Sequence, residues 1–377
     1  MMNLSILRAL LFCPSPEGHL GLPAILWSPP GCGKTSLIKQ IAALFGLPYY
    51  RLSPAERGEG YFGVVPVPGA DGLLHYPPPA DVVSRFTDRG LLFLDEISTA
   101  PPALQAPLLG LVQLRTLGAY TFPKGVRVLG AANDVRHAAG GWDLAPALAN
   151  RFGHFDYDGL DSDGWASSLL DSFASAQQQS RESASDLEAR VEREWPAVDA
   201  QARGMIAGFV RRNPSLLHKE PVRGSADRAW PSRRTCEYAA VALASATLHK
   251  LTEEDTDELM SGFVGRPWVT EFRQWTQMLD LPLPADVLDG AIRFVHDERR
   301  PDRTLVVLGA CAALVVPPTA AKRKERAAAF WRLVGDVAKA APDFTVGAAR
   351  AVVKAGLIAD AKDPLRGLYP ILTAGGL

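Results

Sequence analysis

The first residues able to do chemistry are two glycines, a lysine and a threonine in the segment Ser28–Thr35. Glycines allow consecutive backbone N–H groups to curl around an anion, and the positive N-terminal end of a following helix strengthens that attraction. In such a loop the ammonium of Lys34 pairs with phosphates and the hydroxyl of Thr35 coordinates Mg²⁺. The segment predicts a nucleotide-binding loop, with the candidate residues Pro30, Gly31, Cys32, Gly33, Lys34, Thr35 and Ser36. Ser28 departs from the pattern, which usually begins with glycine, and the alternative is an ordinary Gly-Pro turn before Lys34.

Two adjacent carboxylates, Asp95 and Glu96, follow the uninterrupted apolar run Leu91–Leu94. A run without alternation is typical of a strand buried on both faces of a parallel sheet, so we expect both carboxylates at a strand end. There Asp95 would hold Mg²⁺ through water, and Glu96 would orient or deprotonate an attacking water molecule. Either carboxylate alone is compatible with a helix cap, but the pair together with the loop predicts nucleoside triphosphate hydrolysis.

Asn133 and Arg151 are two further candidates for the same reaction. Asn133 ends the apolar run Val128–Ala132, where its amide can hydrogen-bond the attacking water or the γ-phosphate, although asparagine at a strand end is often only a turn residue. Arg151 follows a short predicted helix, and its guanidinium can stabilise transition-state charge on the ATP of a neighbouring subunit. The alternative for Arg151 is a surface salt bridge.

These residues need strands and helices to position them. Helical periodicity predicts helices over 36–45 and 103–114, and apolar runs predict strands over 24–27, 48–51, 91–95, 126–132 and 153–157. Strand–helix alternation with a phosphate loop after the first strand predicts a three-layer α/β core around a five-stranded parallel sheet. Two segments interrupt the alternation: the Gly- and Pro-rich insertion 52–79, centred on Asp71-Gly72, and a small hairpin over 117–123.

Beyond residue 158 the chain changes character and helical periodicity prevails. The predicted helices are 187–195, 200–212, 234–251, 286–297, 320–340 and 345–359. A length of 377 residues predicts two or three domains.

Composition excludes several classes of protein. Hydrophobic residues make up 47% and charged residues 21%, which excludes wholesale disorder. The net charge of −1 disfavours obligate nucleic-acid binding, because proteins held by phosphate contacts are usually basic. Four cysteines without a CxxC pair indicate a reducing compartment without structural zinc. The apolar runs 4–13, interrupted by Arg8, and 304–316 are too short for a membrane span, so the sequence predicts a cytoplasmic protein with no membrane segment.

Taken in order, the candidate motifs resemble those of the AAA+ ATPases. Gly31–Thr35, Leu94–Ile97, Asn133 and Ala147–Phe152 are similar to Walker A, Walker B, sensor 1 and the arginine finger of that family. This sequence departs from the family pattern at two positions. Ser28 stands where glycine is usual, and Asn150 stands where a narrower group of the family often has aspartate.

A narrower resemblance points to the MoxR group of AAA+ proteins. The segment Gly90–Pro102, with Gln105 and Leu108-Leu109, is similar to that group's Walker B and following helix. The insertion 52–79 and the hairpin 117–123 lie where this clade carries its helix-2 insert and pre-sensor hairpin. Trp230–Ala239 resembles the sensor-2 segment, with Arg234 as the sensor arginine and Arg233 as the alternative.

The resemblance implies a fold, cofactors and partners. It implies an AAA+ core over 1–158, an α-helical lid with sensor 2 over 159–265, and a helical C-terminal region over 266–377. It implies ATP and Mg²⁺ as cofactors, with Thr35 and Asp95 as metal-binding residues and Arg234 contacting the nucleotide. It also implies a homo-oligomeric ring, usually a hexamer, in which Arg151 acts in trans. The implied role is ATP-driven remodelling or maturation of protein complexes, with a von Willebrand factor A-domain protein as a partner.

Two other functions remain open from the residues. One is a nucleic-acid-directed AAA+ motor of the restriction-translocase type, which the near-neutral charge disfavours. The other is a non-hydrolysing, nucleotide-gated scaffold, which the departure at Ser28 suggests.

Overall fold

The computed structural model describes residues 2–57, 59–62, 66–133, 142–170, 182–220 and 228–358. The chain divides into two compact units, the first formed by Met1–Glu188 with Pro221–Trp230 and the second by Ala189–Glu220 with Pro231–Leu377. The boundaries at 158 and 265 stay predictions. No helix in the described part of the chain is long and apolar enough to cross a bilayer.

The first unit is built on a five-stranded, all-parallel sheet, as the sequence predicts. The described residues of this unit form nine strands, five in this sheet and four in two short hairpins: β1 (Ala24–Trp27), β2 (Tyr49–Leu52), β3 (Val67–Pro68), β4 (Leu74–His75), β5 (Arg89–Leu94), β6 (Thr116–Leu117), β7 (Tyr120–Thr121), β8 (Gly125–Ala132) and β9 (Gly153–Asp156). The sheet order is β2-β5-β8-β1-β9, which places β1 between the central strand β8 and the edge strand β9. The predicted α/β class with a five-stranded parallel sheet is confirmed.

Helices of the first unit cover and connect these strands. They are α1 (Leu4–Leu11), α2 (Lys34–Leu44), α3 (Ala80–Val83), α4 (Pro102–Gln113), α5 (Pro146–Ala149) and α6 (Ser162–Leu170), and α7 (Ala184–Arg212) begins here. Side chains of Leu91–Leu94 are fully buried, which explains why β5 is apolar throughout instead of alternating.

The two predicted interruptions form short antiparallel hairpins. In the insertion, β3 pairs with β4, and Gly72 adopts a φ of 76°, a value that favours glycine. In the second hairpin β6 pairs with β7, and the N–H of Ala119 donates to the carbonyl of Tyr76 at 2.9 Å. The end of the insertion is therefore attached to the second hairpin.

The second unit is helical. It contains most of α7, followed by α8 (Arg233–His249), α9 (Glu253–Val264), α10 (Arg266–Gln277), α11 (Pro284–Leu288), α12 (Pro301–Val315), α13 (Arg323–Ala338) and α14 (Val346–Lys354). The helices predicted over 187–195 and 200–212 are one continuous helix, although Pro196 removes an N–H donor from it.

One predicted helix, 286–297, is wrong over most of its length. The structure ends α11 at Leu288, and Gly290 follows with a φ of 82°. A residue in this left-handed conformation does not continue a right-handed helix. In the same unit, α9, α10 and α12 were not predicted.

Candidate functional site

The candidate site lies where three neighbouring strands of the sheet end. Ser28 follows β1, Asp95 follows β5 and Asn133 follows β8, and these strands are adjacent and parallel. Parallel strands present their carboxyl ends at one edge, which is where α/β folds bind ligands. Residues that are far apart in sequence therefore come together at this edge.

The predicted phosphate loop connects β1 to α2. Gly31 and Gly33 have φ values of 86° and 84°, and nothing lies within 4 Å of a Cβ added at either. These glycines are therefore required by the backbone conformation and not by lack of space. Helix α2 begins at Lys34, and Gly33, its N-cap, offers no side chain to cap it. The first N–H groups of the helix are thus available to an anion.

Lys34 reaches across this edge to two other strand ends. Its Nζ donates to Asn133 Oδ1 at 2.7 Å, to Ser28 Oγ at 2.7 Å and to the Ser28 carbonyl at 3.1 Å. Burial lowers the pKa of Lys34 from its usual value, while nearby Cys32, Asp95 and Glu96 act in the opposite direction. Sequence reasoning placed Lys34 and Asn133 in one site but did not identify Ser28 as a partner of the lysine.

Asp95 is the buried carboxylate of the site. Only 5% of the residue is exposed, and its Oδ2 accepts hydrogen bonds from Thr35 Oγ1 at 3.0 Å and from Arg51 Nε at 2.7 Å. Its Oδ1 accepts from the backbone N–H of Glu96. The two residues predicted as metal ligands, Thr35 and Asp95, are thus in direct contact.

These oxygen atoms fit Mg²⁺. The metal prefers hard oxygen ligands and keeps several waters, so a hydroxyl and a nearby carboxylate are a suitable protein contribution. Both groups lie next to the first turn of α2, where the phosphates of a nucleotide would bind.

Arg51 is a site residue that the sequence analysis missed. It lies on β2, which pairs with β5, and its guanidinium also contacts both carboxylate oxygens of Glu56 at 3.0 and 3.3 Å. The strand itself was predicted. Its position beside β5 was not, because the order of strands in a sheet is not a local property of the sequence.

Glu96 has an unusual backbone. Its φ of 54° and ψ of 39° lie in the left-handed region, which side chains with a Cβ seldom adopt. The side chain is exposed, and the carbonyl accepts hydrogen bonds from the N–H and the hydroxyl of Thr99. The carboxylate therefore stands at the sheet edge next to Asp95, as predicted.

Arg151 and Arg234 have other surroundings. Arg151 follows α5, and its guanidinium donates to Gln113 Oε1 on α4 at 2.7 Å and to the carbonyl of Ala147. Arg233 and Arg234 lie in the first turn of α8, which belongs to the second unit. Ser232 caps the N-terminus of this helix. Their assignments as arginine finger and sensor 2 stay predictions.

A buried aromatic cluster supports the strand that leads into the phosphate loop. Trp27 Nε1 donates to His154 Nδ1 at 3.0 Å, and the other ring nitrogen of His154 lies 3.0 Å from the Ala149 carbonyl. Burial lowers the pKa of His154 to about 4, so the ring is neutral at physiological pH. The guanidinium of Arg228 stacks on Trp27 and pairs with Asp156 at 2.8 Å. This arrangement gives His154 a structural role.

Comparison with known proteins agrees with this geometry. Residues 24–156 match the model of the family described as ATPase family associated with various cellular activities (AAA). The first unit has the α/β P-loop fold of AAA+ ATPases. The matched segment runs from β1 to β9 and includes the phosphate loop, Asp95, Glu96, Asn133 and Arg151.

Similarity to individual proteins is remote. A solved structure of a candidate ATPase from Cytophaga hutchinsonii ATCC 33406 aligns with 15% sequence identity and a TM-score of 0.46, covering 69% of this chain and 80% of that one. The chain has no match among curated protein sequences.

Proposed function

We propose that the protein is a Mg²⁺-dependent ATPase of the MoxR-like AAA+ type, working as a homo-oligomeric ring on protein complexes. One observation carries the ATPase assignment: the lysine of the phosphate loop, the hydroxyl beside it, the buried aspartate and the strand-end asparagine converge at one sheet edge. The contacts that carry it are Lys34 with Asn133 and Thr35 with Asp95. Together with the AAA family match, this convergence favours nucleotide hydrolysis over a chance turn motif.

Each residue has a distinct part in the proposed reaction. The backbone N–H groups from Gly31 to Thr35 surround the phosphates, and Lys34 pairs with their β- and γ-oxygens. Thr35 and Asp95 would hold Mg²⁺, which neutralises charge on the β- and γ-phosphates when bound. Glu96 orients and deprotonates the attacking water, and Asn133 fixes that water or the γ-phosphate.

The strained backbone of Glu96 supports its catalytic role. Left-handed residues other than glycine cost about 1–2 kcal/mol and persist where the surroundings enforce them, commonly at functional sites. Here the left-handed conformation of Glu96 turns the chain immediately after β5 and Asp95, so that both carboxylates stay at the end of the strand.

The ring and its clients rest on the MoxR resemblance. We infer that Arg151 acts on the ATP of the neighbouring subunit in a ring, usually a hexamer in this group, and that Arg234 senses the nucleotide. The clients would be protein assemblies, with a von Willebrand factor A-domain protein as a partner. The insertion hairpin β3–β4 is a candidate contact surface, because Val67, Leu73 and Leu74 expose 48%, 63% and 63% of their surface.

Two substitutions test the ATPase assignment. Lys34→Ala removes the ammonium that pairs with phosphates, so ATP binding and turnover should both be lost. Glu96→Gln keeps the shape of the side chain without its basicity, so ATP binding should persist while steady-state turnover falls roughly 100-fold or more. Steady-state hydrolysis and calorimetric titration with ATP measure the two effects.

Lys39→Ala is the matched control, because Lys39 is an exposed lysine on the same helix. Its turnover should equal that of the unmodified protein. Unchanged turnover in both Lys34→Ala and Glu96→Gln would contradict the assignment. ATP binding without single-turnover hydrolysis would instead favour the nucleotide-gated scaffold, and turnover that rises only with DNA or RNA would favour the nucleic-acid motor.

A further inference from the structure

We propose that the hydroxyl of Ser28 is a positioning group that holds the Lys34 ammonium back from the phosphates and thereby weakens nucleotide binding. The inference rests on the proposed ATPase function and deepens it. It assigns a role to the one position at which the phosphate loop departs from its usual sequence.

Strand geometry places Ser28 beside Asn133. Trp27 pairs with Ala132 at the parallel ends of β1 and β8, and the N–H of Ser28 donates to the Ala132 carbonyl at 3.3 Å. Residues one position beyond each strand therefore stand side by side at the sheet edge. Each offers one side-chain oxygen to Lys34 Nζ at the same distance of 2.7 Å.

The hydroxyl proton of Ser28 is already in use. Ser28 Oγ donates to the carbonyl of Pro29 at 2.9 Å, so its remaining capacity toward Lys34 is that of an acceptor. Only 6% of the residue is exposed, which limits its exchange of this contact for water. The serine therefore acts as a fixed oxygen acceptor aimed at the ammonium.

The ammonium of Lys34 is saturated by this arrangement. A lysine has three N–H donors, and Ser28 Oγ, the Ser28 carbonyl and Asn133 Oδ1 provide three acceptors within 3.1 Å. A phosphate oxygen can pair with Lys34 only after it displaces at least one of them. Glycine at position 28 would leave the carbonyl of residue 28, Asn133 and the more distant Pro29 carbonyl at 3.4 Å, but would remove the side-chain oxygen, so less would have to be displaced.

The hydroxyl of Ser28 should therefore lower the affinity of the protein for nucleotides. A hydrogen bond exchanged between protein and water is worth a modest net amount, so we expect Ser28→Ala and Ser28→Gly to bind ADP roughly threefold to tenfold more tightly. The same gain should appear for a non-hydrolysable ATP analogue, because both nucleotides carry the β-phosphate that Lys34 contacts. AMP has no β-phosphate, so its affinity should stay unchanged.

Calorimetric titration of the full chain with ADP, adenylyl imidodiphosphate and AMP in the presence of Mg²⁺ tests the proposal. Ser28→Thr keeps a hydroxyl and should retain the original affinities. Ser245→Ala, at a fully buried serine on α8, controls for the loss of any buried hydroxyl and should also leave them unchanged. In steady-state assays Ser28→Gly should lower KM and leave kcat within about twofold, since the gain lies in binding.

Several outcomes would overturn the proposal. Equal or weaker ADP binding in both Ser28→Ala and Ser28→Gly would mean that the hydroxyl does not hold Lys34 back. An equal gain in AMP affinity would mean that the substitution acts on nucleotide binding by a route other than the contact of Lys34 with the β-phosphate. If Ser28→Ala fails to fold, the ADP affinity of Ser28→Gly decides the test, because glycine is the residue usual at this position. Absence of nucleotide binding and hydrolysis in the unmodified protein would contradict the proposed function instead, which separates the two failures.

Discussion

Glu96 joins an exposed carboxylate to a backbone that only glycine adopts without cost. Glu96 comes directly after β5 and the buried Asp95, and its φ and ψ are 54° and 39°. Because the strain is local to one residue, it can be removed without disturbing the packing of the sheet. The site is therefore expected to trade some stability for the position of this carboxylate.

Replacing Glu96 by glycine or by alanine separates strain from chemistry. Both variants should lose ATP turnover, because both lack the carboxylate. In the left-handed region glycine is favoured, so Glu96→Gly should be more stable than Glu96→Ala by about 1 kcal/mol in urea unfolding. The same pair at Lys39, inside α2, should show the opposite order, because glycine in a helix is about 1 kcal/mol less favourable than alanine. A glycine variant less stable than the alanine variant at position 96 would disprove the strain argument.

At the scale of elements, the first turns of α7 are attached to the sheet by a buried arginine. Arg127 on β8 is 0% exposed, and its guanidinium donates to Glu188 on α7, to the Leu11 carbonyl at 3.0 Å and to the Gly125 carbonyl at 2.7 Å. It also lies 4.8 Å from the ring of Phe12. Burial lowers the pKa of Arg127, and the contact with Glu188 opposes that shift. The carboxylate therefore compensates a charge that has little access to water.

Removing only the carboxylate should be costly. Glu188→Gln leaves the guanidinium buried with reduced compensation, so we expect the free energy of unfolding to fall by roughly 3 kcal/mol. The double variant Arg127→Met with Glu188→Gln removes both charges and should recover much of that loss, since an apolar side chain of similar length fits a buried position. Urea unfolding of the single and double variants measures the difference. Equal destabilisation in both would show that packing and the hydrogen bonds of Arg127 to the Leu11 and Gly125 carbonyls, and not charge compensation, explain the contact.

The elements also show how far sequence reasoning reached. The uninterrupted apolar run Leu91–Leu94 predicts a strand buried on both faces, and the structure confirms that these side chains are buried. The pattern Gly31–Thr35 between a strand and a helix predicts a phosphate loop, and both of its glycines have the left-handed φ that such a tight loop needs. The helix predicted over 286–297 failed because apolar spacing continues past Gly290, where a φ of 82° turns the backbone away from the helix. The contact of Arg51 with Asp95 required the order of strands, which only the packed sheet defines.

At the scale of the whole molecule, the proposed ring requires two subunits for each active site. Glu96 stands next to Asp95, which contacts the predicted phosphate loop, whereas the guanidinium of Arg151 contacts Gln113 and the carbonyl of Ala147. If Arg151 acts on the neighbour's ATP, a subunit lacking Arg151 can still hydrolyse ATP beside a subunit that has it. Complementation between two inactive variants follows from this division of labour.

Mixing Arg151→Ala with Glu96→Gln tests that division. Each variant alone should be inactive, and Arg151→Ala should still bind ATP. In randomly mixed rings an active site needs an Arg151→Ala subunit holding ATP next to a Glu96→Gln subunit, so an equal mixture should regain about a quarter of the full turnover. A mixture of Glu96→Gln with Lys34→Ala is the matched control and stays inactive, because one subunit lacks the base and the other cannot bind ATP. An inactive first mixture in rings shown to exchange subunits would mean that Arg151 acts within its own chain or takes no part in hydrolysis.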